Sequence, residues 1–406
     1  MKLYAQHGAQ AGEKVIKGFQ AGLLDGVIFS PRDISLDQLK SSLQEIKKDH
    51  PKADLFFDPQ YYTALLANSD GVRLGNLSED YSFYFSGRRR LELTKESNVK
   101  EDIQRTLKFQ ASLPVTHFLA PNILISHSLD SRETAIAIDF LSSTAGCYKK
   151  LGDRRPLFAT LAISRDALMG GSPGESLTEF VDEITGIQAD VKGFYLLVAA
   201  KSTESRAEIF HQDVIARWLY LNHTLSLNGY QVVNGYSDLL MPFLSAAGGA
   251  AGAAGWWSNL RIFSLNRFEA SPGGGRQPTQ RYLSIPLLNR ISFTELDALR
   301  RLEMDVLNGL PRDSLYDPKN GSEPQRNEEV LQSWEALKKL NELVSVGSQE
   351  EKLRRCEELI TRTINNYQVT GQYHQFEQKS NDEHLPALEE GLRSFKKLAE
   401  IEPATK

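Results

Sequence analysis

The chain has 406 residues, 41% hydrophobic and 24% charged, with a formal net charge of -5. That length holds one barrel of roughly 250 residues and a further region, and the mildly acidic balance gives no overall attraction to nucleic acid or anionic membranes. Cys147 and Cys356 are too few for a disulfide framework and too isolated for a structural zinc site, which fits a cytoplasmic protein with reduced thiols. The opening MKLYAQHGAQAGEK is too polar for a signal peptide, and no run reaches the ~18 apolar residues of a membrane span.

Short runs rich in β-branched and aromatic residues mark strands, and a 3.6-residue apolar period marks helices. The first strand runs from Lys2 to Gln6, with a helix near Gly12 to Leu24. Asp25 to Ser30 is the second strand; Ser35 to Lys48 follows as a helix, with Leu36, Leu39, Leu43 and Ile46 on one face and Ser35 as its cap. DLFFD, from Asp54 to Asp58, is the third strand. An insertion at about 68–97, with the aromatic DYSFYFSG, reads as a hairpin or a lid. Then come a helix from Asn98 to Ser112, a strand within Val115 to Ile125, and a helix from Asp130 to Lys150, whose Glu133 suits the dipole. The fifth strand is Leu157 to Ile163 and its helix Ser176 to Ile187. Val191 to Ala199 is apolar throughout, as a strand buried on both faces requires, and Ser205 to Leu227 is helical. The stretch YQVVNGYSDLLMPFLSAAGGAAGAAGWWSNLR supplies strand, helix and small-residue strand, with a last helix near Ser258 to Phe268.

This alternation of about eight strands and helices, over Met1 to Phe268, resembles the TIM-barrel superfold. The resemblance implies an α/β chain with a (β/α)8 barrel over 1–269, followed by an α-helical region over 277–406. The linker between them is ASPGGGR, Ala270 to Arg276. Beyond it, RYLSIPLLNRISFTELDALRRLEMDVLNGL reads as helical. Glu328 to Val344 spaces Val330, Leu331, Trp334, Leu337, Leu340 and Val344 on one face; Glu350 to Tyr367 and His384 to Ile401 continue similarly. This helical tail packs on the barrel or on a second subunit. YQVVNGYSDLLMPFL is similar to a glycine-then-helix unit of tRNA-guanine transglycosylases, whose other motifs and cysteine-rich zinc site are absent here.

Catalytic groups of such barrels sit at the C-terminal strand ends. Asp58 follows an apolar strand, where burial would raise its pKa; its structural alternative is an Asx-turn at Pro59. His7 is its expected partner, and Lys201 a candidate Schiff-base amine of the kind class I aldolases use. Ligand-binding candidates are Arg32, Gln60, Tyr61, Asn122, Arg165, Asn234, Tyr236, Trp256, Trp257 and Asn259, with Arg32 and Arg165 as anion clamps and one tryptophan as a stacking surface beside Tyr61, Tyr62 and Tyr236. Gly235 and Gly255 are phosphate-binding candidates through their amides, although Asp238 would compete with an anion there. No metal motif or metal-type histidine pair occurs, and the sequence names no cofactor.

These features point to an enzyme acting on a small aromatic or phosphorylated ligand by acid/base chemistry. Two alternatives stand beside it. One is a non-catalytic barrel with a protein partner or self-association through the tail. The other is a transglycosylase-like, nucleic-acid-processing component using Arg88, Arg89 and Arg90.

Overall fold

The computed structural model describes residues 1–66, 71–85, 87–170, 175–187, 190–203, 206–270, 278–317 and 324–401. Eight parallel strands form its centre: β1 (Lys2–Gln6), β2 (Gly26–Phe29), β3 (Asp54–Phe57), β4 (Phe118–Ala120), β5 (Leu157–Ser164), β6 (Gly193–Ala200), β7 (Gln231–Asn234) and β8 (Ala251–Ala254). Their order is β3-β2-β1-β8-β7-β6-β5-β4. The ring closes where the Leu55 carbonyl accepts the amides of Thr116 at 3.0 Å and His117 at 3.3 Å, just ahead of β4. The fold is therefore a (β/α)8 barrel followed by C-terminal helices.

Register decides which side chains fill the barrel, because partners across a pair point to the same face. Gln6 pairs with Ile28, Ile28 with Phe56, Leu119 with Phe158, Thr160 with Tyr195, and Tyr195 with Val233. These residues face inward, and their neighbours in sequence face the helices. Phe57, outward on β3, meets Tyr81 and Phe83 of the insertion and Phe109 of the next helix, with ring centroids 5.4–5.7 Å apart. Tyr81 and Phe83 of the insertion are thus core packing outside the barrel, while residues 71–73 run antiparallel to 268–270, the Arg73 and Ala270 amides donating to the Phe268 and Gly71 carbonyls. Part of the insertion, residues 67–70 and 86, lies outside the described residues.

The surrounding helices are α1 (Lys14–Gln20), α2 (Leu36–Asp49), α3 (Glu96–Ala111), α4 (Arg132–Leu151), α5 (Glu175–Gly186), α6 (Gln212–Leu227) and α7 (Met241–Ala246). Ser35 caps α2 in a capping box with Gln38, as its sequence implies. The helix expected over Ser258 to Phe268 does not form: the segment makes two 3-10 turns and a short strand, Phe263–Ser264, that pairs with the end of β6. The stretch after 277 is not helical at first either. RYLS and NRIS form an antiparallel hairpin, β9 (Arg281–Ser284) with β10 (Asn289–Ser292). Pro286 lies in its turn and Leu288 adopts a left-handed φ of 44°. Only after the Ser292–Glu295 capping box does α8 (Phe293–Arg301) begin. Most of the ASPGGGR segment lies outside the described residues.

The remaining helices are α9 (Arg326–Val344), α10 (Gln349–Thr370) and α11 (Leu385–Leu398). α9 packs against β1, α1 and α7, the position an eighth barrel helix occupies. Its Trp334 is fully buried and donates its indole N–H to the Ala254 carbonyl of β8 at 3.0 Å. Gly18 on α1 leaves the room, since a Cβ there would press on Leu24 and Trp334. Losing a buried indole costs on the order of 3–5 kcal/mol in globular cores, so this helix is firmly seated. α11 packs along α6, and α10 joins α7 to α11. The tail thus buries Trp334, Leu337, Leu388 and Leu392, while Leu343, Val346, Val369 and Tyr373 stay exposed. No described helix is long and apolar enough to cross a membrane.

Candidate active site at the barrel mouth

Asp58 follows β3 on the face of Asp54 and Phe56, so it enters the barrel at the C-terminal mouth. Gln60, at a left-handed φ of 52°, turns the chain sharply after it. Asp58 Oδ1 accepts the Gln60 amide at 2.9 Å, which is the Asx-turn bond. Its Oδ2 accepts the hydroxyls of Tyr62 at 3.0 Å and Tyr195 at 3.3 Å. The carboxyl is fully buried and makes no ion pair among the described residues. Burial pushes its pKa up to about 6, against hydrogen bonds from Gln60, Tyr62 and Tyr195 and the charge of Arg267.

Arg267 sits in the turn after β8, with its side chain 2% exposed. It pairs with Asp33 at 2.7 Å, donates to the Tyr236 hydroxyl and reaches Ser30 Oγ at 3.4 Å. Burial alone would lower its pKa, but Tyr236, Asp33, Tyr62 and Asp58 around it hold it raised. Ser30 also accepts the Gln60 side-chain N–H at 2.7 Å and donates to Asp33 at 3.2 Å. Arg32 closes the far side of Asp33 at 2.6 Å. Phe263 lies under the rings of Tyr62 and Tyr236, at centroid distances of 4.9 and 5.1 Å. Tyr236 and Asp238, at φ 53° and 37°, join Gln60 among the left-handed non-glycine residues of the mouth loops, where strain tends to mark function.

Several sequence candidates fall elsewhere. His7 is buried against Phe29 and Trp256, has no hydrogen bond to Asp58, and burial lowers its pKa to about 4, so it stays neutral near pH 7. The partnership with Asp58 expected of it is thus not seen as a direct hydrogen bond. Lys201 is 62% exposed and pairs with Asp166 at 3.0 Å on the rim, which is no place for a desolvated amine. Tyr61 turns outward and donates to Asp102, which also holds Arg88 at 2.8 Å. Asn122 spans the carbonyls of Ala137 and Thr160, while Asn234 is locked to Trp218 and Asn222; both face the helices. Arg165 lies 3.7 Å from Asp166 and 3.9 Å from Glu208.

Trp256 donates its indole N–H to the Ala9 carbonyl, and Trp257 lies under Arg326, so neither is an open stacking platform. Asn259 is half-buried, with its Oδ1 unpartnered. The amides of Gly235 and Gly255 already bond to Leu196 and Leu260 at 3.0 Å, which removes the phosphate donors expected of them. Gly235 serves packing instead, since a Cβ there would strike the Tyr195 ring and Leu197. Asp238 is bidentate to Arg290 of the hairpin at 2.5 and 2.7 Å. The basic triple makes no positive face, because Arg88 is buried against Asp102 and Arg90 pairs with Glu133 at 2.6 Å.

Nothing in the sequence singles out Tyr195, Arg267, Asp33 or Gln6. Tyr195 is one aromatic in an apolar run, and only register shows that it faces the barrel. Arg267 lies in a stretch that reads as a helix.

No protein-family model and no curated protein matches the chain. Among solved structures, it is similar to dihydrodipicolinate synthase from Bacillus clausii, at 14% identity over 83% of this chain and 90% of that one, with a TM-score of 0.23. A likeness that slight carries no argument about chemistry, and the fold rests on the strand order itself.

Proposed function

We propose that the chain is a TIM-barrel enzyme acting on a small ligand at its C-terminal mouth, with Asp58 as the general acid–base. The observation that carries this reading is a fully buried carboxyl at the end of β3, without an ion-pair partner among the described residues and faced by two phenols. A group with pKa about 6 is suited to exchanging protons near neutrality. Tyr62 and Tyr195 would orient the carboxyl and share a hydrogen bond with the reacting atom. Arg267, shared with Asp33, would offset negative charge as it develops. The rings of Tyr62, Tyr236 and Phe263 favour an aromatic or otherwise flat ligand over a phosphorylated one, since the glycine amides are occupied.

A non-catalytic barrel is the second reading, favoured by the roof that buried Phe263, Arg267 and Phe268 make over the mouth. The test is a thermal-shift screen against nucleotides, flavins, nicotinamides and phosphorylated metabolites, followed by turnover assays on whatever binds. Asp58→Asn should lower turnover by about 10²–10⁴-fold while leaving Tm unchanged or higher. A variant that loses several degrees of Tm yet keeps turnover would make Asp58 only a turn cap.

A further inference from the structure

The inner face of the barrel near the mouth holds polar atoms that no described residue satisfies. Gln6 ends β1 and is fully buried, yet neither its amide nitrogen nor its oxygen has a hydrogen-bond partner. Thr160 Oγ1 on β5 and His7 Nδ1 are likewise buried and unpartnered. Register turns Gln6 and Thr160 inward: Gln6 is opposite Ile28, and Thr160 is opposite Tyr195, whose hydroxyl bonds to Asp58. Gln6 lies beside the Tyr195 phenol. Burial and Asp58 push that phenol well up while the Gln6 amide holds it down, although the two stop short of hydrogen-bond geometry. One carboxamide thus keeps an open donor and an open acceptor on the inner face of the barrel that also carries Tyr195 and Asp58.

A buried donor and acceptor left open together are costly, and leucine or methionine would fill the same position without that cost. We propose that Gln6 is the ligand-recognition residue of this site, and that the ligand carries a planar, neutral donor–acceptor edge of the cyclic amide or imide kind. The proposal rests on the mouth being the active site. The Gln6 N–H donates to the ligand carbonyl, and the ligand N–H donates to the Gln6 oxygen. An anion would leave the Gln6 oxygen unpaired and would face the Asp58 carboxylate; an ammonium would leave the Gln6 nitrogen unpaired. The argument holds with the amide in either orientation, because both atoms lack partners.

The experiment compares wild type, Gln6→Leu and Asp58→Asn by thermal shift and calorimetry. Its probes are uracil and 2-pyrrolidinone, with acetate and inorganic phosphate as anionic controls. The expected result is a dose-dependent rise in wild-type Tm with at least one cyclic amide and none with the anions. Gln6→Leu should lose that rise while its own Tm equals or exceeds that of wild type. The proposal is overturned if the rise survives in Gln6→Leu or if only the anions stabilise. A lower Tm for ligand-free Gln6→Leu, or no response to any probe, also overturns it; Gln6 would then hold a structural water. If the Gln6 assignment alone is wrong, a probe still binds and its effect still depends on Asp58. If the mouth is not the site, no probe response changes in Asp58→Asn.

Discussion

Asp54 and Asp58 stand on the same strand and the same face of it, at opposite ends of the barrel. At the N-terminal end, Asp54 accepts Lys2 and the Tyr4 hydroxyl at 2.6 Å each, with His117 at 4.0 Å. The carboxylate ties β1 to β3, and Lys2 remains 56% exposed. At the mouth, the buried Asp58 accepts two phenols and makes no ion pair among the described residues. The same residue type is therefore a stitch at one end and a buried carboxyl with a raised pKa at the other. The neighbours supplied by the adjacent strands decide which.

The largest expected effect is on pH dependence. The folded state raises the Asp58 pKa from 3.8 to about 6, so it binds this proton more tightly than the unfolded chain. The stability this group contributes is present below about pH 4 and is lost as pH rises through 6, by about 3 kcal/mol in all. His7, lowered to about 4, and His384, lowered to about 3, act in the opposite sense, mainly by burial. Their contributions are complete above about pH 6.5 and are lost on acidification. Denaturation of wild type and Asp58→Asn from pH 4 to 8 isolates the carboxyl, and the variant's relative stability should climb with pH. A difference that stays flat would dissolve the contrast between the two ends. Asp54→Asn should cost only about 1 kcal/mol, because the Lys2 pair is largely solvated, and should leave turnover intact. Loss of turnover there would put chemistry at the wrong end of the barrel. Smallest of all, Lys201→Ala should stay within ~0.5 kcal/mol of wild type and keep its turnover. An inactive variant would return a lysine to the mechanism.

The sequence shows the barrel well where strands are long and apolar. Lys2 to Gln6 matches β1, and the run after Val191 is β6 to within two residues. It fails where tertiary packing replaces periodicity. RYLSIPLLNRIS carries enough leucine to pass for a helix, yet Pro286 breaks it and RYLS pairs antiparallel with NRIS as a hairpin. At the site, Asp58 and Gln60 could be read because a carboxylate after an apolar strand stands out. Tyr195, Gln6 and Thr160 could not, since inward and outward positions look alike in a strand buried on both faces. Arg267 depends on a partner, Asp33, that lies more than two hundred residues away in the chain.

The seating of α9 bears on how the chain is made. The flank of β8 and β1 is covered by a helix that begins at residue 326, far beyond the last strand of the barrel. During synthesis, the Gly18 notch and the Ala254 carbonyl wait for Trp334 while the whole hairpin and α8 are still being added. The barrel is thus a structure with a late keystone. Its eight strands can assemble early, but the ring gains its full wall only when residues 326–344 arrive. A nascent chain paused before that point would show an apolar seam to chaperones.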